Sequence, residues 1–490
     1  MDDAMGKVII IGGGIAGLAT AYQLEKLARA TTHADAKEIS YVIIESSQSL
    51  GGKIVSEVEK GFVVEGGPDS FLTQKSGALE LCRELELTDL FVGANQEQQK
   101  IYVWSRGRLR AMPDGVMLMV PGKILPFLGS NLISWVGKLR MAMEIFIPRK
   151  REPNDESLGS FVRRRLGKEV LAKIAGPIMG GIHAADVDRL SLLSTFPRFI
   201  EMEKKYGSLL RGMYAQRRAM KKTQGGTAPL PMFVTLRGGL GRLVDAIVSK
   251  LDPCCARLGQ KVESIRRNAG QYEVELTNGT KIIGDAVVFA TPAYITARLL
   301  ERMDRPLADT LRSIPYVSTA TVSLGYKRSD IAHPLDGHGF VVAQNETRHI
   351  NACSWSSTKF SGRAPEDHVL LRVFIGDAGT EYMAEQGFQG LIDLACEELK
   401  ATMGITAKPV LAKAYQWFKA NPQYNVGHAE LVAKIEELLK SHEGIHFAGA
   451  AYHGSGLPDC IQSGKNVAQK IIDEFQEKSS DRSETLAVAS

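Results

Sequence analysis

The sequence predicts an α/β protein whose parallel-sheet domain is assembled from widely separated stretches of chain. Three observations predict it. Near the start, KVIIIGGGIAGLATAYQLEK reads as a buried strand, a glycine turn and a helix with apolar residues at helical spacing, and YVIIE follows as a second buried strand. At the centre, DAVVFATP is another continuous apolar strand ending in a turn. Near the end, GIHFAGAAYHGSGLPDCIQSGKNVAQKIIDEF reads strand, glycine loop and long helix. Strands without polar alternation are buried on both faces, so the material between these segments is read as inserted domains.

Composition bounds what such a protein does. The 490 residues are 44% hydrophobic and 23% charged, as in ordinary soluble proteins. A net charge of +5 is too mild to call for a nucleic-acid partner. The six cysteines (82, 254, 255, 353, 396 and 460) form no CxxC and no regular framework, so neither a metal site nor disulfides are expected, and a reducing, cytoplasmic setting is. Met1 to Lys7 has no apolar core of a secretory signal. The apolar segment 120–148 is broken by Lys123, Lys138, Arg140 and Glu144. Its longest uncharged run, Ile124 to Gly137, has fourteen residues, against about 20 needed to span a bilayer. Trp135 and flanking cations permit a peripheral dip into a membrane surface, at the inner face of the cell membrane; a lid or cavity wall is the other reading.

Gly12, Gly14 and Gly17 satisfy GxGxxG. The first glycine permits the turn, the second lets the backbone approach a pyrophosphate, and the third allows the helix to pack on the strand. The helix N-terminus offers the phosphates unpaired N–H groups and partial positive charge. Glu45 ends the second strand, where a carboxylate accepts from ribose hydroxyls and repels a 2′-phosphate, which argues against NADP. The stretch TLRGGLGRLVDAIVSKL, around Gly238, Gly239 and Gly241, imitates this motif. It has Val244 where a third glycine belongs and no acid-ended strand behind it, so it reads as a packing turn.

The choice of dinucleotide falls to ESSQSLGGK, residues 45–53. It resembles the Glu-x(5)-Gly-Gly-Arg/Lys signature of FAD enzymes of the amine oxidase and phytoene desaturase superfamily, with Ser49 where that signature often has Arg. Over nearly its full length the chain also resembles the oxygen-dependent coproporphyrinogen and protoporphyrinogen oxidases, Gram-positive bacterial branch. The motifs GGGIAGLA, VIIESSQSLGGKI, EGGPDSFL, LSLLSTFP, NPQYNVGH and GLPDCIQSGK carry this resemblance in order.

The predicted architecture is therefore an FAD-binding Rossmann-like domain built from segments 1–90, 231–300 and 421–477. It carries a mainly helical insertion, 91–230, that also faces substrate or membrane, an inserted α+β substrate domain, 301–420, and a tail, 478–490, expected to be disordered. The resemblance implies FAD contacts from Gly12, Gly13, Gly14, Ile15, Ala16 and Gly17, from Glu45, Ser46 and Lys53, and from Gly67, Pro68, Asp69 and Ser70. It implies others from Val262 in KVESI, from Trp417 before NPQY, and from Leu457, Pro458 and Asp459. Pro458 also suits the first turn of a helix, lacking an N–H where none is needed.

The implied reaction oxidises a porphyrinogen to a porphyrin with O₂, releasing H₂O₂, in three flavin turnovers. Coproporphyrinogen III is the favoured substrate and protoporphyrinogen IX the alternative. A remoter rival is an amine or carotenoid-precursor oxidase, and a further one is a binding module that has lost its cofactor. The chemistry is flavin-centred, and no residue presents itself as the catalytic base. His183, where relatives often have Tyr, is the histidine expected nearest the substrate, with a merely packed or exposed ring as the plain alternative. Lys75, Arg108 and Ile182 are the expected substrate contacts, with Arg106 and Arg110 beside Arg108. The basic run from Lys204 to Lys222 reads either as a cavity rim or as a solvated helix face.

Overall fold

The computed structural model describes residues 6–30, 39–113, 116–117, 120–121, 124–150, 152, 154–223 and 230–488. The polar loop expected from Thr31 to Glu38, and Lys123, lie outside these. Five strands, β1 (Gly6–Ile11), β2 (Ile39–Ile44), β3 (Ala256–Arg257), β4 (Ala286–Phe289) and β5 (Ile445–Phe447), form one parallel sheet in the order β3-β2-β1-β4-β5. In register, Ile9 of β1 stands between Val42 and Val287. Val8 and Ile10 enter the core on one face, Ile9 and Ile11 the core on the other. Two-sided burial is why the run reads as unbroken apolar sequence.

Five helices are α1 (Ile15–Ala30), α2 (Ser76–Glu84), α3 (Trp135–Ala142) in the helical insertion, α4 (Gly241–Val248) and α5 (Leu457–Val488). α1 and α5 cross closely. Thr20 Oγ1 donates to the carbonyls of Ala16 (2.9 Å) and Gly464 (3.2 Å), and a Cβ on Gly464 would lie 2.3 Å from the Ala16 oxygen. α5 remains helical to Val488, where the tail from 478 was expected to be disordered. That tail holds no Gly or Pro to end a helix, so it extends one already anchored on α1.

The substrate-side sheet has seven strands in the order Leu411–Pro422, Tyr316–Lys327, His368–Ile375, Ala352–Trp355, Gly337–Val342, Lys100–Ser105 and Arg108–Ala111. The last two strands correct the domain reading, which placed them in the helical insertion. Their partner lies far downstream: Phe340 and Val341 pair in parallel with Tyr102 and Val103. The helical part follows, with its own core of Phe161, Val162, Leu171, Ile174 and Met179. Among the described residues no helix is long and apolar enough to cross a membrane.

Candidate active site

The turn between β1 and α1 is closed by contact rather than by composition. A Cβ on Gly17 would lie 2.0 Å from the Gly12 oxygen, whereas one on Gly14 would meet nothing within 4 Å. The open space at Gly14 is therefore a cradle at the helix N-terminus, whose first N–H groups have no intrahelical partner. Glu45 stands beside it, accepting from the N–H groups of Gly13 and Ser47, each at 2.7 Å. Ser46 follows it, its hydroxyl 3.3 Å from Glu45 Oε1. The second glycine pair runs alongside: Gly51 N–H donates to the Gly13 oxygen at 2.9 Å, and a Cβ on Gly52 would lie 3.0 Å from Gly14 Cα.

The next segment reaches Glu45 from the centre of the chain. Gln260 N–H donates to the Glu45 oxygen at 2.9 Å, and Val262, two residues on, is buried at the start of the strand Val262–Asn268. Lys53 carries the slot onward. Its carbonyl oxygen would lie 1.8 Å from a Cβ on Gly67, and its Nζ donates to the Ala420 oxygen. Its side chain keeps an open surface, and the protein packed around it lowers its pKa, opposed by Cys460.

The Gly66–Ser70 turn is the best-held part of the site. The Gly66 oxygen accepts from Trp417 Nε1 (3.0 Å), Thr321 Oγ1 (2.9 Å) and Arg372 Nη2 (3.2 Å). Arg372 also donates to the Gly67 oxygen. After Pro68, Asp69 accepts from Ser70 Oγ at 2.7 Å and lies 3.4 Å from Lys359 and 4.0 Å from Arg372. Burial raises its carboxyl, but Lys359, Arg372, Ser70 and Arg363 outweigh that and hold it well below the usual range.

The last helix closes the slot. α5 begins at Leu457 with Pro458 in its first turn, and a Cβ on Gly77 of α2 would lie 2.6 Å from the Pro458 oxygen. Asp459 accepts from the Gly456 N–H at 3.2 Å and from Lys75 Nζ on both oxygens, at 2.7 and 2.6 Å. Lys75 and Asp459 are also the charges acting on His183. Ile182, beside it, is 60% exposed.

The structure thus brings together the glycine turns, Glu45, Lys53, the Gly66–Ser70 turn, Trp417, the start of α5, Lys75 and His183. It does not bring Arg108 to them. Arg106, Arg108 and Arg110 sit on the edge hairpin of the seven-stranded sheet, where Arg110 is held below its ordinary pKa by burial and by its two arginine neighbours. Among the described residues no contact joins Arg108 to Lys75, Asp459 or His183. Lys204, Lys205 and Arg211 are exposed on helices, the arrangement of a solvated face. The second glycine turn, before α4, has its helix donors already engaged: Leu240 N–H by Glu65 (2.9 Å) and Gly241 N–H by Ser56 Oγ (2.8 Å). No anion is needed there.

Residues 15–472 match the family described as flavin containing amine oxidoreductase. The chain belongs to this family. Within it, the chain lies in the coproporphyrinogen and protoporphyrinogen oxidase branch. It is 36% identical over 477 residues to the coproporphyrinogen III oxidase of Bacillus subtilis, covering 96% of this chain and 99% of that one. It is 29% identical over 497 residues to human protoporphyrinogen oxidase, covering 96% and 99%. A crystal structure named as a protoporphyrinogen oxidase, from Exiguobacterium sp. 255-15, superposes with a TM-score of 0.83 at 30% identity, covering 96% and 99%. A putrescine oxidase superposes at 0.67 with 16% identity, which speaks for the fold alone.

As a member of this family the chain is a flavin-dependent oxidoreductase, and four residues missed from sequence complete its site. Arg372 and Thr321 hold the Gly66 carbonyl, Lys359 faces Asp69, and Gln423 Nε2 donates to the oxygens of His183 (3.1 Å) and Asn421 (3.3 Å). Thr321 and Arg372 lie inside strands and Lys359 ends a short helix, with no motif around them, whereas Gln423 is itself part of NPQY.

Proposed function

We propose that this chain is an FAD-dependent oxidase that converts coproporphyrinogen III to coproporphyrin III, using O₂ and releasing H₂O₂. The observation that carries the reading is the convergence of the open cradle at Gly14, Glu45, Lys53 and the Gly66–Ser70 turn with the start of α5 and its Lys75–Asp459 pair. The residues fit an extended dinucleotide: an open cradle at Gly14, a carboxylate at Glu45, and a rigid turn at Gly66–Ser70 facing a helix N-terminus. Bound FAD would supply two-electron oxidation of the substrate and return of those electrons to O₂. The protein's share is positional. The α1 N-terminus and Gly14 would hold the pyrophosphate, Glu45 the ribose, and the 66–70 turn with Trp417 behind it the flavin end. Lys75 would receive a propionate and Ile182 an apolar face of the macrocycle.

For the substrate, the Bacillus subtilis relative and the Staphylococcus aureus relative at 32% identity are both coproporphyrinogen III oxidases. Protoporphyrinogen IX is the second reading, favoured by the name of the Exiguobacterium structure. Supplying each porphyrinogen separately in air and following porphyrin fluorescence tests both. Faster turnover of coproporphyrinogen III is expected. Faster turnover of protoporphyrinogen IX would select the alternative, and no turnover of either, by protein that has taken up FAD, would end the reading.

We also propose a cytoplasmic protein that touches the membrane peripherally. The support is an apolar face running through α3 and the turn after it: Trp135, Val136, Leu139, Met143 and Phe146 are 51–79% exposed. Flotation with vesicles of mixed neutral and anionic phospholipid tests this, and protein left wholly at the bottom of the gradient would refute it.

A further inference from the structure

We propose, resting on the functional reading above, that His183 is the catalytic proton acceptor for the pyrrole N–H that the porphyrinogen loses in each oxidation. His183 ends a helical run whose middle, Leu171–Gly180, is π-helical, and Ala184 after it turns left-handed at φ 48°. This turn is pinned from two sides. Gln423 Nε2 holds the His183 oxygen at 3.1 Å, and Ala378 N–H donates to the Ala184 oxygen at 3.0 Å. The imidazole rests edge-on against Phe196, with ring centroids 5.7 Å apart. Among the described residues its two nitrogens make no hydrogen bond, and the ring is half-buried. An imidazole with free nitrogens, held in place by its backbone and by Phe196, is available for proton transfer.

The same strand ties His183 to the flavin end. Trp417 on Leu411–Pro422 donates to the Gly66 oxygen, Ala420 accepts from Lys53, and Gln423 just beyond reaches His183. Two charged groups face the ring, Lys75 from the start of α2 and Asp459 from the start of α5, and they are paired to each other on both carboxylate oxygens. Asp459 is thereby occupied with Lys75 instead of with the imidazole. Burial first, then Lys75, push His183 down to about 4 against the opposing pull of Asp459, so it stands neutral and able to accept.

The step balances. Bound FAD would supply the acceptor for the electron pair of the bridging C–H bond, and its loss would leave the substrate cationic and its N–H acidic. That N–H bond would then break, its proton passing to His183 and its electrons completing the new double bond. Passing the electron pair on to O₂ to give H₂O₂ would consume one further proton, which His183 would return through solvent. A weak base suffices because its partner acid is a cation.

The test uses the FAD-loaded enzyme, His183→Gln and His183→Ala. Flavin content should match wild type, KM for coproporphyrinogen III should stay within about twofold, and kcat should fall about 100-fold or more. Added imidazole should recover at least about tenfold of the His183→Ala loss. Independently of activity, with histidine labelled at Cε1, the NMR signal missing from His183→Gln should titrate in wild type near pH 4, and move up in Lys75→Met. A kcat within about threefold of wild type, a loss that imidazole does not relieve, or a signal titrating near 6.5 overturns the proposal. Should the variants not fold, wild type decides: kcat flat from pH 8 to 5 supports it, and half-loss near pH 6.5 overturns it. A flavin-loaded wild type inert toward both porphyrinogens removes the functional reading and this proposal with it, whereas an active wild type with unaffected variants removes only the proposal.

Discussion

Replacing Arg363 by Met should cost about 3–5 kcal/mol, the range for breaking a buried ion pair from one side. Arg363 and Glu65 have side chains only 4% and 3% exposed and meet at 2.8 Å. The same guanidinium donates to Thr235 Oγ1 at 2.6 Å and to the Asp69 oxygen at 3.3 Å. Glu65 would retain Ser56 and the Leu240 N–H but lose its ion-pair partner, with Arg372 acting on it only at longer range. The loss is therefore dominated by a stranded carboxylate, and removing that charge as well should relieve it. In Arg363→Met/Glu65→Gln at least about 1 kcal/mol should return relative to Arg363→Met alone. Urea unfolding of the four proteins, followed by tryptophan fluorescence and by flavin release, measures the cycle, with both signals required because a chain this long need not unfold in one step. FAD should also bind more weakly to Arg363→Met, since Arg363 braces the turn at Asp69. An Arg363→Met protein within about 1 kcal/mol of wild type, or a double variant as unstable as the two losses summed, would show that the pair is not what holds β-strand, turn and α4 together.

Gly17→Ala should prevent stable folding of the nucleotide domain, because the new Cβ meets the Gly12 oxygen at 2.0 Å, while Gly14→Ala should keep its stability within about 1 kcal/mol yet lose FAD; thermal unfolding and flavin absorbance separate the two. Lys359→Met should weaken the protein at neutral pH. Asp69 is held below its unfolded value of about 3.9, so the wild-type advantage should be full above about pH 4 and shrink as pH falls further. An advantage that instead grows toward acid would contradict the assignment of Lys359 as its counter-ion. Trp135→Ser/Leu139→Ser/Phe146→Ser should unfold like wild type and lose vesicle binding, and unchanged flotation would move the membrane contact elsewhere.

How much of the site was legible depended on how local its chemistry is. Gly17 and Gly14 announce themselves because a turn and a close approach demand particular residues at particular spacing, and the structure shows why. Lys75 and Arg108 were expected together as substrate contacts, and the structure places them apart, Lys75 against Asp459 and Arg108 on the edge hairpin. Three arginines in five residues read as a cavity rim, whereas the hairpin that carries them, joined to Gly337–Val342 through its first strand, lies at a sheet edge. His183 could be named from sequence but not given a state, since burial first, then Lys75, lower its pKa against the opposing pull of Asp459, and these surroundings come from distant parts of the chain.

The sequence by itself determined the α/β class, the segmented parallel sheet and the dinucleotide turn, because buried strands and glycine turns are written in adjacent residues. It also determined that α5 opens on a proline-containing first turn. Only the tertiary structure decided that Arg372, Thr321 and Trp417 converge on one carbonyl, that Glu65 and Ser56 occupy the second glycine turn, and that the 100–111 hairpin joins a distant sheet. Those arrangements come from hydrogen bonds and ion pairs between residues more than a hundred positions apart, and such partners leave no periodicity or spacing to read.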